Sequence, residues 1–155
     1  MVEVGAPAPA ICLPDQHGDV FDLLAARGRP VVVYFYPKDN TRGCTAQACG
    51  IRDRWPEFTA AGAVVVGVSA DDVPTHGEFA AQHDLPHRLL ADPERVAIDT
   101  YDVWGWRIRP STGERVEGVL RKTVLIDGAG QVAAVWDDVD PAAHADQVLE
   151  AIAGL

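Results

Sequence analysis

Cysteine is scarce in this chain, with three among 155 residues, and basic charge is in deficit, with 13 Lys and Arg against 23 Asp and Glu for a net charge of −10. Neither shortage is neutral. A nucleic-acid binder needs a basic face and an anionic membrane surface attracts cations, so both partner classes are excluded as expectations. Structural zinc is usually held by two close pairs of Cys or His ligands. The five histidines (His17, His76, His83, His87, His144) are instead scattered, and the His83/His87 pair falls across Leu85-Pro86. A metal is therefore not expected. A C-x-x-C pair is absent, because four residues separate Cys44 from Cys49. No run approaches the ~20 apolar residues of a membrane-spanning helix. The opening MVEVGAPAPA lacks the basic and apolar regions of a secretory signal, so a cytoplasmic location is expected. Repeats, low-complexity tracts and long linkers are also missing, and a single domain over 1–155 is expected. At this length it can bury a core without staples.

What is present is an alternation of strand-like and helix-like segments. VVVYFY (31–36) and AVVVGVSA (63–70) are β-branched runs of the kind covered on both faces. Between them, 44–62 reads as helix, broken just before Pro56. A helix is expected over 73–84, a strand over 88–92 and a helix over 94–103, followed by a loop rich in Gly, Pro and Trp. VLRKTVLID (119–127) and QVAAVWDDV (131–139) flank Gly128-Ala129-Gly130 and read as a hairpin. A last helix is bracketed by Pro141 and Gly154. With a small hairpin around Asp15 to Gly18, the order is that of an α/β fold: a central mixed β-sheet, parallel first and antiparallel at its end, with helices on both faces.

The chemistry concentrates in YFYPKDNTRGCTAQAC, residues 34–49. Two of the three cysteines lie in six residues of it. Inside a cell, paired cysteines are more often catalytic or metal-binding than structural. Cys44 opens a helix after a Gly-containing loop, and free N–H groups and the dipole at a helix start favour a thiolate. Thiols so placed have pKa values lowered from about 8.5 to roughly 3.5–7.5. In an ideal helix, Cα atoms five residues apart are separated by about 8.6 Å. A disulfide wants roughly 4.4–6.8 Å. Cys44 and Cys49 therefore cannot bond while their helix is regular, and Gly50 lowers the cost of unwinding it.

This segment resembles the active-site segment of peroxiredoxins, specifically the bacterioferritin-comigratory-protein or peroxiredoxin Q group. The family pattern Pro-x-x-x-Thr-x-x-Cys stands here as Pro37, Thr41 and Cys44, with Cys49 at the position of the resolving cysteine of two-cysteine members. LRKTVLID is similar to the segment holding the family's arginine, which falls on Arg121. The likeness covers essentially the whole chain and implies a thioredoxin-like fold with a small N-terminal β-hairpin. Three positions depart from it: Gln47 where many relatives carry Glu, His87 where an aromatic is common, and Cys12 in a segment usually without cysteine.

The resemblance implies a thiol-dependent peroxidase acting on hydrogen peroxide and organic hydroperoxides. Cys44 would be oxidised to a sulfenic acid, Cys49 would resolve it as a disulfide, and thioredoxin or a similar dithiol would recycle the pair. It also implies roles for Arg121 as a fixed cation at the sulfur, Thr41 as a hydroxyl for the thiolate or peroxide, and Pro37 as a shield. No metal, haem or flavin is required, and a monomer or weak dimer is expected. Read without the family, Arg121 could also be a surface strand residue and Thr41 a helix N-cap, and Cys12 reads as an inert buried thiol. A thiol-based redox sensor or disulfide-transfer module remains the alternative.

Overall fold

The computed structural model describes residues 2–109, 112–137 and 139–155. Its centre is a five-stranded sheet in the order β5-β4-β3-β8-β9. Here β3 is Val31–Phe35, β4 Val64–Ser69, β5 Arg88–Ala91, β8 Lys122–Ile126 and β9 Val132–Trp136. The β3–β4 and β4–β5 pairs are parallel, whereas β3–β8 and β8–β9 are antiparallel. Every residue of β3 is buried, as its unbroken Val/Tyr/Phe run requires of a central strand. Alternate side chains of this strand, with Tyr36 just beyond it, feed two cores. Val31, Val33 and Phe35 face one, and Val32, Tyr34 and Tyr36 the other.

The Tyr side carries the helices α1 (Arg42–Asp53), α2 (Trp55–Ala60), α3 (Val73–His83) and α5 (His144–Ala153). The crossovers from β3 to β4 and from β4 to β5 step the same way across the sheet, so right-handed connections place their helices on one face. The opposite face is covered by α4 (Val96–Thr100) and by an N-terminal hairpin of β1 (Cys12–Pro14) and β2 (Val20–Asp22). That hairpin turns at Gly18, whose φ is +82°. Asp15 Oδ1 accepts from the His17 and Asp19 N–H groups within the turn. The expected thioredoxin-like architecture is thus present.

The break expected just before Pro56 is present: two helices meet at Arg54, with Pro56 at the second position of α2, where its missing N–H costs nothing. Three local readings change. α1 starts at Arg42, earlier than read. The expected loop after 103 contains an antiparallel hairpin of β6 (Trp104–Ile108) and β7 (Arg115–Val119). Its glycines and arginines hide a strand pattern, because it forms its own two-stranded sheet with one face largely open. The run read as one strand over 119–127 splits accordingly. The Leu120 N–H turns away to the Val103 carbonyl at 2.6 Å, so Arg121 sits at a junction between β7 and β8 rather than within a strand. No helix among the described residues is long and apolar enough to cross a membrane.

Candidate active site

The site lies where β3 ends. Pro37 stops the strand, Asn40 takes a left-handed turn at φ +65°, and Thr41 is the extended residue from which α1 starts. Asn is among the few non-glycine residues that tolerate that conformation. Cys44 is the third residue of α1, so its N–H is one of the donors without an intrahelical partner. Its side chain is 1% exposed.

Arg121, 77 residues away in sequence, reaches this helix start: its Nη2 donates to Cys44 Sγ at 3.3 Å. Gly43 leaves room for that approach, since a Cβ there would stand 3.0 Å from the same nitrogen and press on it. Arg121 extends from the junction between β7 and β8, and its guanidinium reaches both Cys44 and Gln47. Cys44 and Arg121 are thus brought together. Thr41 is adjacent in the chain, but its hydroxyl donates to the Lys38 carbonyl at 3.0 Å and makes no helix cap. Its proton is thereby committed, leaving the oxygen's lone pairs to accept. Pro37 is half-buried at the loop's start. Cys49 is half-buried further along α1, which runs unbroken through both cysteines, and all three thiols are free. Cys12 is exposed on β1, correcting the expectation of a buried thiol: its side chain falls on the outer face of a short edge strand.

Two features were not legible in the sequence. Gln47 is buried at 1% exposure, and its Oε1 accepts from Arg121 Nη1 at 2.7 Å. The guanidinium is therefore held between a neutral amide and the sulfur, and the Gln47 Nε2 has no partner among the described residues. The amide's orientation follows from chemistry, because Arg has no acceptor to offer its NH₂. Second, Asp39, Asp71 and His76 converge beside the loop, with one donor atom from each within 4.8 Å of the others. His76 Nδ1 stands 2.6 Å from Asp39 Oδ2. Ligands on one zinc ion at ~2.1 Å would be about 3 Å apart or more, so this contact is a hydrogen bond rather than a metal cage.

The aromatic floor beneath α1 is tightly built. Tyr34 and Tyr36 stack with centroids 5.4 Å apart, and the Tyr34 hydroxyl meets His87 Nε2 at 2.7 Å. Burial pushes the Tyr34 hydroxyl well above its ordinary pKa, and proximity to Cys44 adds to the rise. His87, which stands where an aromatic was expected, is held neutral: burial lowers its pKa to about 3. At the start of α5, His144 pairs with Thr123 Oγ1 at 2.6 Å. Burial, and then the Arg121 charge, lower the His144 pKa too.

A buried thiol at a helix start with an arginine on its sulfur, set in a thioredoxin-like sheet, is the arrangement of a thiol peroxidase. The match to known proteins agrees. Residues 4–135 match the AhpC/TSA family, and the chain belongs to it. Among its curated relatives, the putative peroxiredoxin bcp of Coxiella burnetii is 40% identical over 148 residues, 96% of this chain and 97% of that one. Peroxiredoxin Bcp of Bacillus subtilis is 37% identical over 151 residues, 97% of this chain and 95% of that one. Solved structures are similar over nearly the whole chain. The bacterioferritin comigratory protein of Xanthomonas campestris, described for its alkyl peroxide reduction activity, superposes with a TM-score of 0.87 at 34% identity, covering 98% of each chain. Peroxidoxin BcpB of Mycobacterium tuberculosis gives 0.87 at 31% identity, covering 100% of this chain and 99% of that one. The protein is an enzyme of the peroxiredoxin class, a thiol-dependent peroxidase.

Proposed function

We propose that Cys44 is the peroxidatic cysteine and Cys49 the resolving one, in a cycle that consumes hydrogen peroxide or an alkyl hydroperoxide and is recycled by thioredoxin or a similar dithiol in the cytoplasm. The observation that carries the reading is the 3.3 Å contact from Arg121 Nη2 to Cys44 Sγ. A permanent cation there stabilises negative charge at the sulfur, and the free N–H groups at the start of α1 act in the same sense. The thiolate attacks one peroxide oxygen. The O–O bond breaks, and the departing oxygen takes a proton and leaves as water or an alcohol. Arg121 and the backbone N–H groups of the helix start stabilise charge as it develops on that oxygen. The Thr41 oxygen accepts the O–H of the incoming peroxide, orienting it, and Pro37 shields the sulfur.

The product is a Cys44 sulfenic acid. The Cys49 thiolate attacks its sulfur, the oxygen leaves as water, and a disulfide forms. That step requires α1 to open, since its regular geometry holds the Cα atoms about 8.6 Å apart. Opening also presents the disulfide to its reductant. Cys44→Ser is expected to abolish peroxide turnover. Cys49→Ser is expected to react once and accumulate a sulfenic acid trappable by dimedone. Thioredoxin-coupled turnover by Cys44→Ser would overturn the assignment, and slow turnover by the wild type with fast disulfide exchange would favour the sensor or transfer reading.

A further inference from the structure

The loop from Pro37 to Thr41 has no regular structure, yet it carries both Pro37 and Thr41, the two residues to which the proposed cycle gives roles beside Cys44 and Arg121. Fixing each loop residue costs backbone entropy, so a loop held in one shape needs ties. Nearly all of them pass through Asp39, which is 3% exposed and lies midway between Pro37 and Thr41. Its Oδ2 meets His76 Nδ1 at 2.6 Å, and its Oδ1 accepts from the Tyr36 hydroxyl at 2.6 Å. Its backbone N–H donates to Asp71 Oδ2 at 2.9 Å, and the Ser69 hydroxyl holds that same oxygen at 2.7 Å.

His76, itself 0% exposed, is fixed in turn. Its Nε2 meets the Leu90 carbonyl at 2.9 Å, and a carbonyl only accepts, so Nε2 carries a proton. That leaves Nδ1 and the Asp39 carboxyl sharing one proton. The loop is thereby bolted to the end of β4 through Ser69 and Asp71, to α3 through His76 and to β5 through Leu90. Replacing one partner of such a buried pair strands the other, and the network acts as a unit.

We propose that the Asp39–His76 pair is a positioning device for the peroxide pocket, rather than a structural bond alone. It touches neither the sulfur nor the peroxide. It holds the Pro37–Thr41 loop so that the Thr41 oxygen receives the peroxide in line with Cys44 and Arg121. This inference rests on the peroxidase reading above. It predicts a selective defect, because a displaced loop harms the oriented reaction with peroxide but not the intrinsic reactivity of a thiolate still beside Arg121. Displacements near 1 Å can cost on the order of a hundredfold in rate.

The test compares two electrophiles on the reduced protein: hydrogen peroxide, which needs orientation, and iodoacetamide, which needs only the thiolate. Asp39→Ala and His76→Ala are each expected to lose about tenfold to a hundredfold in the second-order rate with peroxide, while alkylation of Cys44 by iodoacetamide holds or rises. The double variant should be no worse than either single one, since both break one unit. Asp39→Asn, which keeps the shape and hydrogen-bonding reach, should recover the peroxide rate to within about threefold of wild type. Should the alanine variants not fold, Tyr36→Phe removes one tie and is expected to lower the peroxide rate about threefold with alkylation unchanged. Peroxide and iodoacetamide rates falling in parallel, or an unchanged peroxide rate in folded variants, overturns the proposal. A wild type that is alkylated readily but reacts with no peroxide sinks the peroxidase reading instead, and the two failures are thus distinct.

Discussion

Ala48→Gly is expected to accelerate disulfide formation while leaving the attack on peroxide nearly untouched. Ala48 lies on α1 between the two cysteines, 1% exposed, on the inner face with Cys44, Gln47 and Ile51. If the cysteines must leave the helix to meet, whatever stabilises the helical state slows resolution. Glycine in a helix interior costs about 1 kcal/mol relative to alanine. The buried methyl contributes about another 0.8 kcal/mol that the unwound segment does not have. At an RT of about 0.59 kcal/mol, propensity alone gives about fivefold, and the two terms together about twentyfold. Stopped-flow fluorescence should separate the steps, since Trp55 begins the helix that follows α1. The attack phase scales with peroxide concentration and should stay within about twofold. The resolution phase is independent of peroxide and should be about 5- to 20-fold faster. A resolution rate that is unchanged or slower, in a variant whose thermal midpoint has fallen, would show that α1 does not have to open.

Gln47→Glu would place a carboxylate against Arg121 Nη1 and share its charge with the sulfur. Alkylation of Cys44 by iodoacetamide at pH 6 is expected to slow about threefold to tenfold, and equal rates would show that Gln47 serves only to space the guanidinium. His87 gives the fold a measurable acid sensitivity. Its folded pKa of about 3 lies below its ordinary 6.5, so the unfolded chain binds the proton first and stability falls as pH drops through 6.5 towards 3. By pH 5 the loss is about 2 kcal/mol relative to pH 8. His87→Phe, though less stable at neutral pH for want of the Tyr34 hydrogen bond, should show a flatter dependence in urea titrations at pH 8, 6.5 and 5. An unchanged slope would place the acid sensitivity in other groups.

The fold was open to reading from the chain because its strongest signals are local. An unbroken run such as Val31 to Tyr36 is incompatible with any exposed strand, and Pro56 dictates a break wherever a helix reaches it. The β6–β7 hairpin escaped for the converse reason. With its own small sheet and one open face, it leaves β6 and β7 mostly exposed or half-buried, so they lack the apolar run that marks a strand, and its Trp residues read as loop packing.

At the site, order along the chain was enough to put Cys44 at a helix start and to show that Cys49 cannot reach it while the helix lasts, because both follow from helix geometry. Contacts across the fold obey no such rule. That Arg121 meets the sulfur depends on β8 lying beside β3 and on the chain turning at Leu120, 77 positions after Cys44. Whether Gln47 faces Arg121, and whether Asp39 and His76 share a proton, depends on which helix face turns inward and how α3 sits over the end of β4. A hydrogen bond is decided by tenths of an ångström between groups far apart in sequence, whereas a strand or helix is decided by neighbours. The chain alone therefore settles which chemistry is available, and the tertiary structure settles which side chains share it.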